Sequence, residues 1–198
     1  MLPLWVAGFS AVLLWSVIAP KDLFTWFLEV FPALIGVVVL AATRRRFPLT
    51  PLLYGLILLH CWILMAGGHY TYAEVPLFDW LKPVFGWERN NYDKVGHFAQ
   101  GFVPAVLARE ILIRKQVVNG RGWLAFVVGC ICLAFSASYE LLEWAVAEME
   151  GSSADAFLGT QGYVWDTQTD MAWALVGAVA ALLLMPRWHD RQLARFRP

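Results

Sequence analysis

Charge is the scarcest property of this sequence. Asp, Glu, Lys and Arg make up 15% of its 198 residues, where a soluble domain carries about 25%. The 15 basic and 15 acidic residues cancel, and no nucleic-acid signature is present, because membrane topology accounts for the basic residues. Cysteine is rarer still. Cys61, Cys130 and Cys132 all fall inside apolar runs, which excludes a disulfide framework or a thiolate metal site and leaves small buried apolar residues. Alternating ten-residue segments are missing, and with them a β-barrel. So are a phosphate-binding loop, a G-x-S-x-G element, an internal repeat and a low-complexity linker. The first apolar run has no basic flank before it and no small-residue cleavage site after it, so it reads as a retained helix.

Apolar surface is abundant instead. Hydrophobic residues are 60% of the chain, with 11 Trp among them. They gather into blocks at about 2–19, 23–42, 49–67, 95–113, 123–147 and 171–186. Each approaches the length a helix needs to cross about 30 Å of hydrocarbon. The expected fold is all-α: a polytopic membrane helix bundle with about six transmembrane helices, forming a single integral membrane domain over residues 1–198.

The basic residues orient that bundle. Arg44, Arg45 and Arg46 follow the second block, Arg114, Lys115 and Arg121 the fourth, and Arg187, Arg191, Arg195 and Arg197 the sixth. If six helices alternate, all of these lie on one side, which is the cytoplasmic one. Both termini are then cytoplasmic. The loops 68–94 and 148–170, which hold most of the acidic residues, lie outside.

Polar residues at membrane depth are costly and usually face a bundle interior or a watery cavity. The stretch SASYELLEW, residues 136–144, places Glu140 and Glu143 in one of the most apolar parts of the chain, on a helix face shared with Ser136. In the fourth block, Asp93, His97 and Gln100 share a face by their i, i+4 and i, i+7 spacing. Asp166 and Asp170 stand four apart at the entrance to the sixth. Three helices thus bring polar faces to the same outer level. If the faces converge, Asp93, Glu140, Glu143, Asp166 and Asp170 meet only Lys94 and His97 as counter-charges. Carboxylates so close in a low dielectric must either share protons or hold a cation. One imidazole with several carboxylates suits Zn²⁺, Mn²⁺, Mg²⁺ or Ca²⁺. His97, Glu140 and Asp170 are the expected ligands.

Plainer roles stand beside these: an N-cap for Asp166, a snorkelling carboxylate for Glu143, a helix-start carboxylate for Asp93. Arg109 and Glu110, near the cytoplasmic end of their helix, read as snorkelling or as a structural ion pair. His60 reads as a hydrogen-bonded core histidine. Glu29 can join the cluster or pair with Lys21 or Arg89. The segment HYTYAEVPLFDWLKPVFGWERNNY mixes aromatic and charged residues as a re-entrant or interfacial segment does. Gly159 and Gly162 allow a tight path over the helix ends.

Three motifs, DKVGHFAQGFVPA, SASYELLEWAVAE and FLGTQGYVWDTQTDMAWALVGA, resemble the YjdF-like family of bacterial inner-membrane proteins. The resemblance covers nearly the whole chain and is strongest from residue 92 to 177. It implies a polytopic protein of the bacterial cytoplasmic membrane. The family is a domain of unknown function, so the resemblance brings no activity. Its signature polar positions fall on Asp93, Lys94, His97, Glu140, Glu143, Asp166 and Asp170. A looser similarity to VanZ-like membrane proteins rests on Asp93, Lys94, His97 and Phe98, and hints at a cell-envelope role through that group's association with glycopeptide resistance.

Three functions are compatible with these features. The first is a membrane-embedded enzyme facing outward, acting on a lipid or lipid-linked envelope substrate. His97 and Glu140 are then general base and acid, or ligands of a divalent cation, completed by Glu143, Asp166 and Asp170. Asp93, Lys94 and Gln100 hold the bound group, with Lys94 toward a substrate phosphate. The second is a cation- or proton-coupled transporter, and the third a non-catalytic membrane scaffold. The topology has a direct test. Reporter fusions after Arg46, Arg121 and Pro198 should report cytoplasm, and fusions near Trp80 and Ser153 the outside; a cytoplasmic signal at Ser153 would overturn the six-helix arrangement.

Overall fold

A computed structural model of the chain describes residues 2–150, 155–158 and 160–196; Ser153, Gly159 and Arg197 lie outside the described residues. In chain order the helices are α1 (Leu2–Val17), α2 (Leu23–Thr43), α3 (Pro51–Tyr70), α4 (Pro76–Phe85), α5 (Tyr92–Arg114), α6 (Arg121–Glu150), α7 (Asp155–Leu158), α8 (Asp166–Leu184) and α9 (Pro186–Leu193). A turn of 3₁₀ helix follows at Ala194–Phe196. No strand occurs among the described residues. The six apolar blocks are α1, α2, α3, α5, α6 and α8. Four of them, α2, α3, α6 and α8, are long and apolar enough to cross a membrane by themselves. The 16 residues of α1 are short for a span. The α5 helix carries too many polar groups to qualify alone, and it packs against α3, α6 and α8.

Several helix ends differ from the apolar blocks for local reasons. The Thr50 hydroxyl accepts from the Leu53 N–H at 3.4 Å, and Pro51 opens α3 where its missing N–H costs nothing. Pro186 ends α8 and starts α9 in the same way. Both α5 and α8 begin earlier than their apolar runs, so Asp93 and Asp166 fall in first helical turns. Carboxylates are favoured there by the unpaired N–H groups of the helix start. The α4 helix is amphipathic, with Leu77, Trp80, Val84 and Phe85 exposed, as an interfacial segment requires.

Association within lipid gains little from the hydrophobic effect, so close approach through small residues carries more of it. The most extensive helix contact is between α5 and α8. There Ala174, Gly177, Ala178 and Ala181 are buried on α8. Gly101 of α5 lies against the Ala174 backbone, and Gly177 against the backbone of Phe98 and Phe102. A Cβ at either glycine would collide with main chain that cannot move aside. Cys132 of α6 is buried on Gly101, its Sγ 3.5 Å from the carbonyl. Cys61 is likewise buried, whereas Cys130 is exposed on the bundle flank, contrary to the expectation of burial. A second apolar cluster joins α1, α2 and α3 through Phe9, Trp26, Val30, Cys61 and Met65.

At the arginine-rich end a polar network fastens α9. Glu110, fully buried, accepts from the Thr50 N–H at 3.1 Å, the Thr50 hydroxyl at 2.8 Å, Arg114 at 2.8 Å and His189 Nε2 at 2.9 Å. Arg109 donates to Asp190 at 2.7 Å and to His189 Nδ1 at 3.1 Å. Arg109 and Glu110 therefore do not pair with each other; His189 stands between them. The tight α5–α8 seam gives a stability test. Gly101→Leu or Gly177→Leu should destabilise the detergent-purified protein by about 3 kcal/mol or more, beyond ordinary overpacking, read as a fall in melting temperature. Gly36→Ala, which meets nothing within 4 Å, should leave it unchanged.

Candidate functional site

The α5–α8 contact aligns polar residues as well as small ones. Arg89 donates to Asp166 and lies 3.6 Å from Asp93; His97 Nε2 lies 3.9 Å from Asp170; Gly101 meets Ala174. The pairs Asp93–Asp166, His97–Asp170 and Gly101–Ala174 keep a constant sequence offset of 73, so the two helices run parallel from a common end. Two helix starts thus converge, and their unpaired N–H groups favour negative charge between them.

His97 is at the centre. It is 7% exposed, with Asp93 3.2 Å from Nε2 and the Gln100 amide oxygen 3.0 Å from Nδ1. Glu140 of α6 approaches Nδ1 to 3.9 Å. Each ring nitrogen therefore faces an oxygen acceptor. One ligand atom each from Asp93, His97 and Asp170 lies within 4.8 Å of the others. Glu140, an expected ligand, stands instead at the other ring nitrogen, and Asp93 joins His97 and Asp170 in that group. Asp170 Oδ1 and Glu140 Oε1 are buried without a hydrogen-bond partner among the described residues, as is the Ser136 hydroxyl. Buried polar atoms are normally paired, so these oxygens are open to a ligand.

A cavity of about 320 Å³ lies beside Asp170, and neither Glu140 nor Ser136 lines it. Asp93, His97, Gln100, Glu143 and Asp170 line it, and so does Glu29 from α2. Glu29 had three expected partners, and the fold resolves the choice. It accepts from the Tyr139 hydroxyl at 3.3 Å, while Lys21 pairs with Glu74 and Arg89 with Asp166. His60 also lines the cavity, with Nε2 unpartnered among the described residues. The expected hydrogen bond is missing at that atom. Lys94 is turned away, into a separate groove with Phe78, Trp87 and Phe98.

Tyr72 and Arg89 were not among the expected site residues, Arg89 entering only as one candidate partner of Glu29. Thr71 and Tyr72 both have left-handed backbone, at φ 58° and 53°, which turns the chain back over α3. The Tyr72 ring fills the space left by Gly67 on α3 and Gly96 on α5; a Cβ at Gly96 would stand 2.7 Å from it. Burial holds the Tyr72 phenol well above the ordinary tyrosine range, so it is a neutral hydroxyl at the cavity wall. Arg89 had a readable signal: it lies four residues before Asp93. Asn90 fixes it in place. Its N–H donates to the Gln161 side chain and its carbonyl accepts from the same amide, both at 2.9 Å, and its side chain donates to the Val75 carbonyl at 3.0 Å.

Arg89 is thus the cation that separates Asp93 from Asp166. Arg89→Met should cost about 3 kcal/mol, the lower end for breaking a buried pair, in a thermal melt of purified protein. Adding Asp166→Asn should restore part of the loss; a double variant as unstable as the sum of both singles would mean that the groups act separately.

Comparison with known proteins places this geometry in context. A family described as "Predicted membrane protein (DUF2238)" matches residues 1–191. The inner membrane protein YjdF of Escherichia coli (strain K12) is 54% identical over 187 residues, which cover 94% of this chain and 90% of that protein. No solved structure matches the chain.

Proposed function

The chain belongs to the DUF2238 family of membrane proteins, and for this multi-pass inner-membrane member we propose an embedded site, at the outward end of the bundle, that acts on a lipid or lipid-linked envelope substrate. The carrying observation is the convergence of Asp93, His97 and Asp170 beside a cavity. Unpartnered oxygens on Asp170 and Glu140 strengthen it. A purely structural cluster would gain by closing those valences, as Glu110 does at the other end.

An imidazole and two carboxylates suit a divalent cation that takes nitrogen and oxygen donors. Such a cation polarises a phosphoryl or carbonyl oxygen and activates water. Within the chain, Asp93 orients the His97 ring through Nε2. Gln100 holds Nδ1 at 3.0 Å and Glu140 stands 3.9 Å from it, a gap that one water would bridge for a general acid–base step. Arg89 restrains Asp93 and Asp166. The outward placement rests on the arginines at the opposite end. A carrier would need polar groups continuing to that end. Ala105, Val106 and Ala108 of α5 are buried between the cavity and Arg109, which weighs against one.

The test is thermal melting of detergent-purified protein with and without a chelator. A bound ion would leave repelling carboxylates when withdrawn, so chelation should lower the melting temperature. Glu140→Gln should shrink that effect by removing one of the charges. In cells, His97→Ala should alter envelope lipids as a deletion does, and His97→Ala with Glu140→Gln should be hardly worse than either. Melting curves indifferent to chelator in both proteins would sink the ion and leave a proton-sharing cluster.

A further inference from the structure

Among the described residues, the cavity beside His97 has a side wall that is not closed by protein. Pro32 of α2 and Phe135, Ser138 and Leu142 of α6 line it. Yet Phe135 is 62% exposed and Leu142 43% exposed on the outside of the bundle. A residue that lines a cavity and also faces outward marks an opening. Leu142 and Phe135 lie about 12 and 22 Å from the end of α6 at 1.5 Å per residue. The opening therefore faces hydrocarbon, not only the headgroup layer.

Helix packing explains the gap. The α2 helix packs on α3, and α6 packs on α5 and α8; α2 with α6 is not among the extensive contacts. What spans the seam is the Tyr139–Glu29 hydrogen bond and α7, which touches both helices at the site end. Pro32 and Pro104 both line the cavity, and each removes a helical N–H there.

We propose that the α2–α6 seam is a lateral portal through which an amine-bearing glycerophospholipid enters, its ammonium headgroup among the cavity carboxylates and an acyl chain leaving past Pro32 and Phe135 into the bilayer. This deepens the reading of the site as one for a lipid substrate and depends on it. The continuous polar-to-apolar lining argues for one amphiphile rather than a soluble ligand. Charge selects its head. Glu29, Asp93, Glu143 and Asp170 line the cavity around one imidazole. Of the nearest cations, Arg89 is held by Asp166 and Asp93, and Lys94 lies in another groove. A divalent ion on Asp93, His97 and Asp170 still leaves Glu29 and Glu143 for an ammonium, which carboxylates favour in a low dielectric. Arg89 keeps Nε and Nη2 without a hydrogen-bond partner among the described residues, but its charge already faces Asp166 and Asp93 and it does not line the cavity, so an anionic head would meet carboxylates there.

The test uses the full chain in nanodiscs carrying photoreactive phosphatidylethanolamine or photoreactive phosphatidylglycerol, with the diazirine on the acyl chain. Phosphatidylethanolamine should label peptides containing Pro32 and Phe135 about tenfold more than phosphatidylglycerol does, the ratio of one decade in affinity. Ser138→Trp, at the exposed rim, should abolish that labelling without lowering the melting temperature, whereas Phe126→Trp, exposed elsewhere on α6, should not. Labelling spread evenly over the bundle flank and indifferent to Ser138→Trp would overturn the portal. Equal labelling by both lipids, still blocked by Ser138→Trp, would overturn the headgroup assignment. Chelator melts report on the ion separately, so portal labelling with chelator-indifferent melting would sink the ion alone. Portal labelling with envelope lipids unchanged by His97→Ala would sink catalysis and leave a lipid-binding site.

Discussion

The contact between Gly101 and the Ala174 backbone, with Gly177 against Phe98 and Phe102, fixes everything above it. Two parallel helices can approach this closely only where one of them has glycine at each crossing point. Close approach then sets the register, because ridges of main chain cannot slide past each other without separating. One turn toward the helix starts, the same register brings His97 beside Asp170. A further turn brings Asp93 and Asp166 onto Arg89. The polar constellation is thus a consequence of backbone packing. Lipid supplies little driving force for such a juxtaposition of carboxylates, so van der Waals contact between small residues must hold it.

The two ends of α5 solve the same problem differently. At one end Glu110 is fully buried and its carboxylate oxygens are closed by Thr50, Arg114 and His189. That network locks α9 and the start of α3 to α5, and leaves little for a ligand. At the other end Asp170 and Glu140 are almost as buried, yet each keeps an oxygen without a partner among the described residues. Desolvating a carboxylate without closing its valences costs stability. A sequence able to satisfy Glu110 completely is able to do the same for Asp170. The asymmetry places the strain of unmet hydrogen bonding on the side where the cavity is.

Much of this was legible in the amino-acid sequence because membrane depth makes polarity informative. The six helices follow from block length. Asp93, His97 and Gln100 share a face by spacing, and all three line the cavity. What escaped was what spacing does not encode. Lys94 is adjacent to Asp93 in sequence, but one residue along a helix is about 100° around it, so it faces another groove. Arg89 takes its place through the loop path set by Asn90 and Gln161. Tyr72 enters only because two glycines from different helices leave a slot for its ring, a complementarity with no local signal. The starts of α5 and α8 were hidden by their carboxylates, which lower hydropathy where the helix dipole favours them.

The cavity lies where the fold can best tolerate one. α1, α2 and α3 share one apolar cluster, while α3, α5, α6 and α8 share another that α2 reaches through Leu40, and α2 and α6 have no extensive contact between them. In water, an opening between two such units would cost its full apolar area. In a bilayer, acyl chains fill the same seam at little cost, because lipid is as apolar as the side chains it touches. A bundle that leaves α2 and α6 apart therefore loses little stability there. It gains a route from hydrocarbon to His97 that requires no unfolding of the tightly packed α5–α8 pair. Polar groups inside a membrane are conventionally shielded from lipid on every side. Among the described residues the shielding is incomplete at Phe135 and Leu142, and a molecule that is itself part lipid and part polar head is the kind of ligand that can use such a breach without exposing the carboxylates to hydrocarbon.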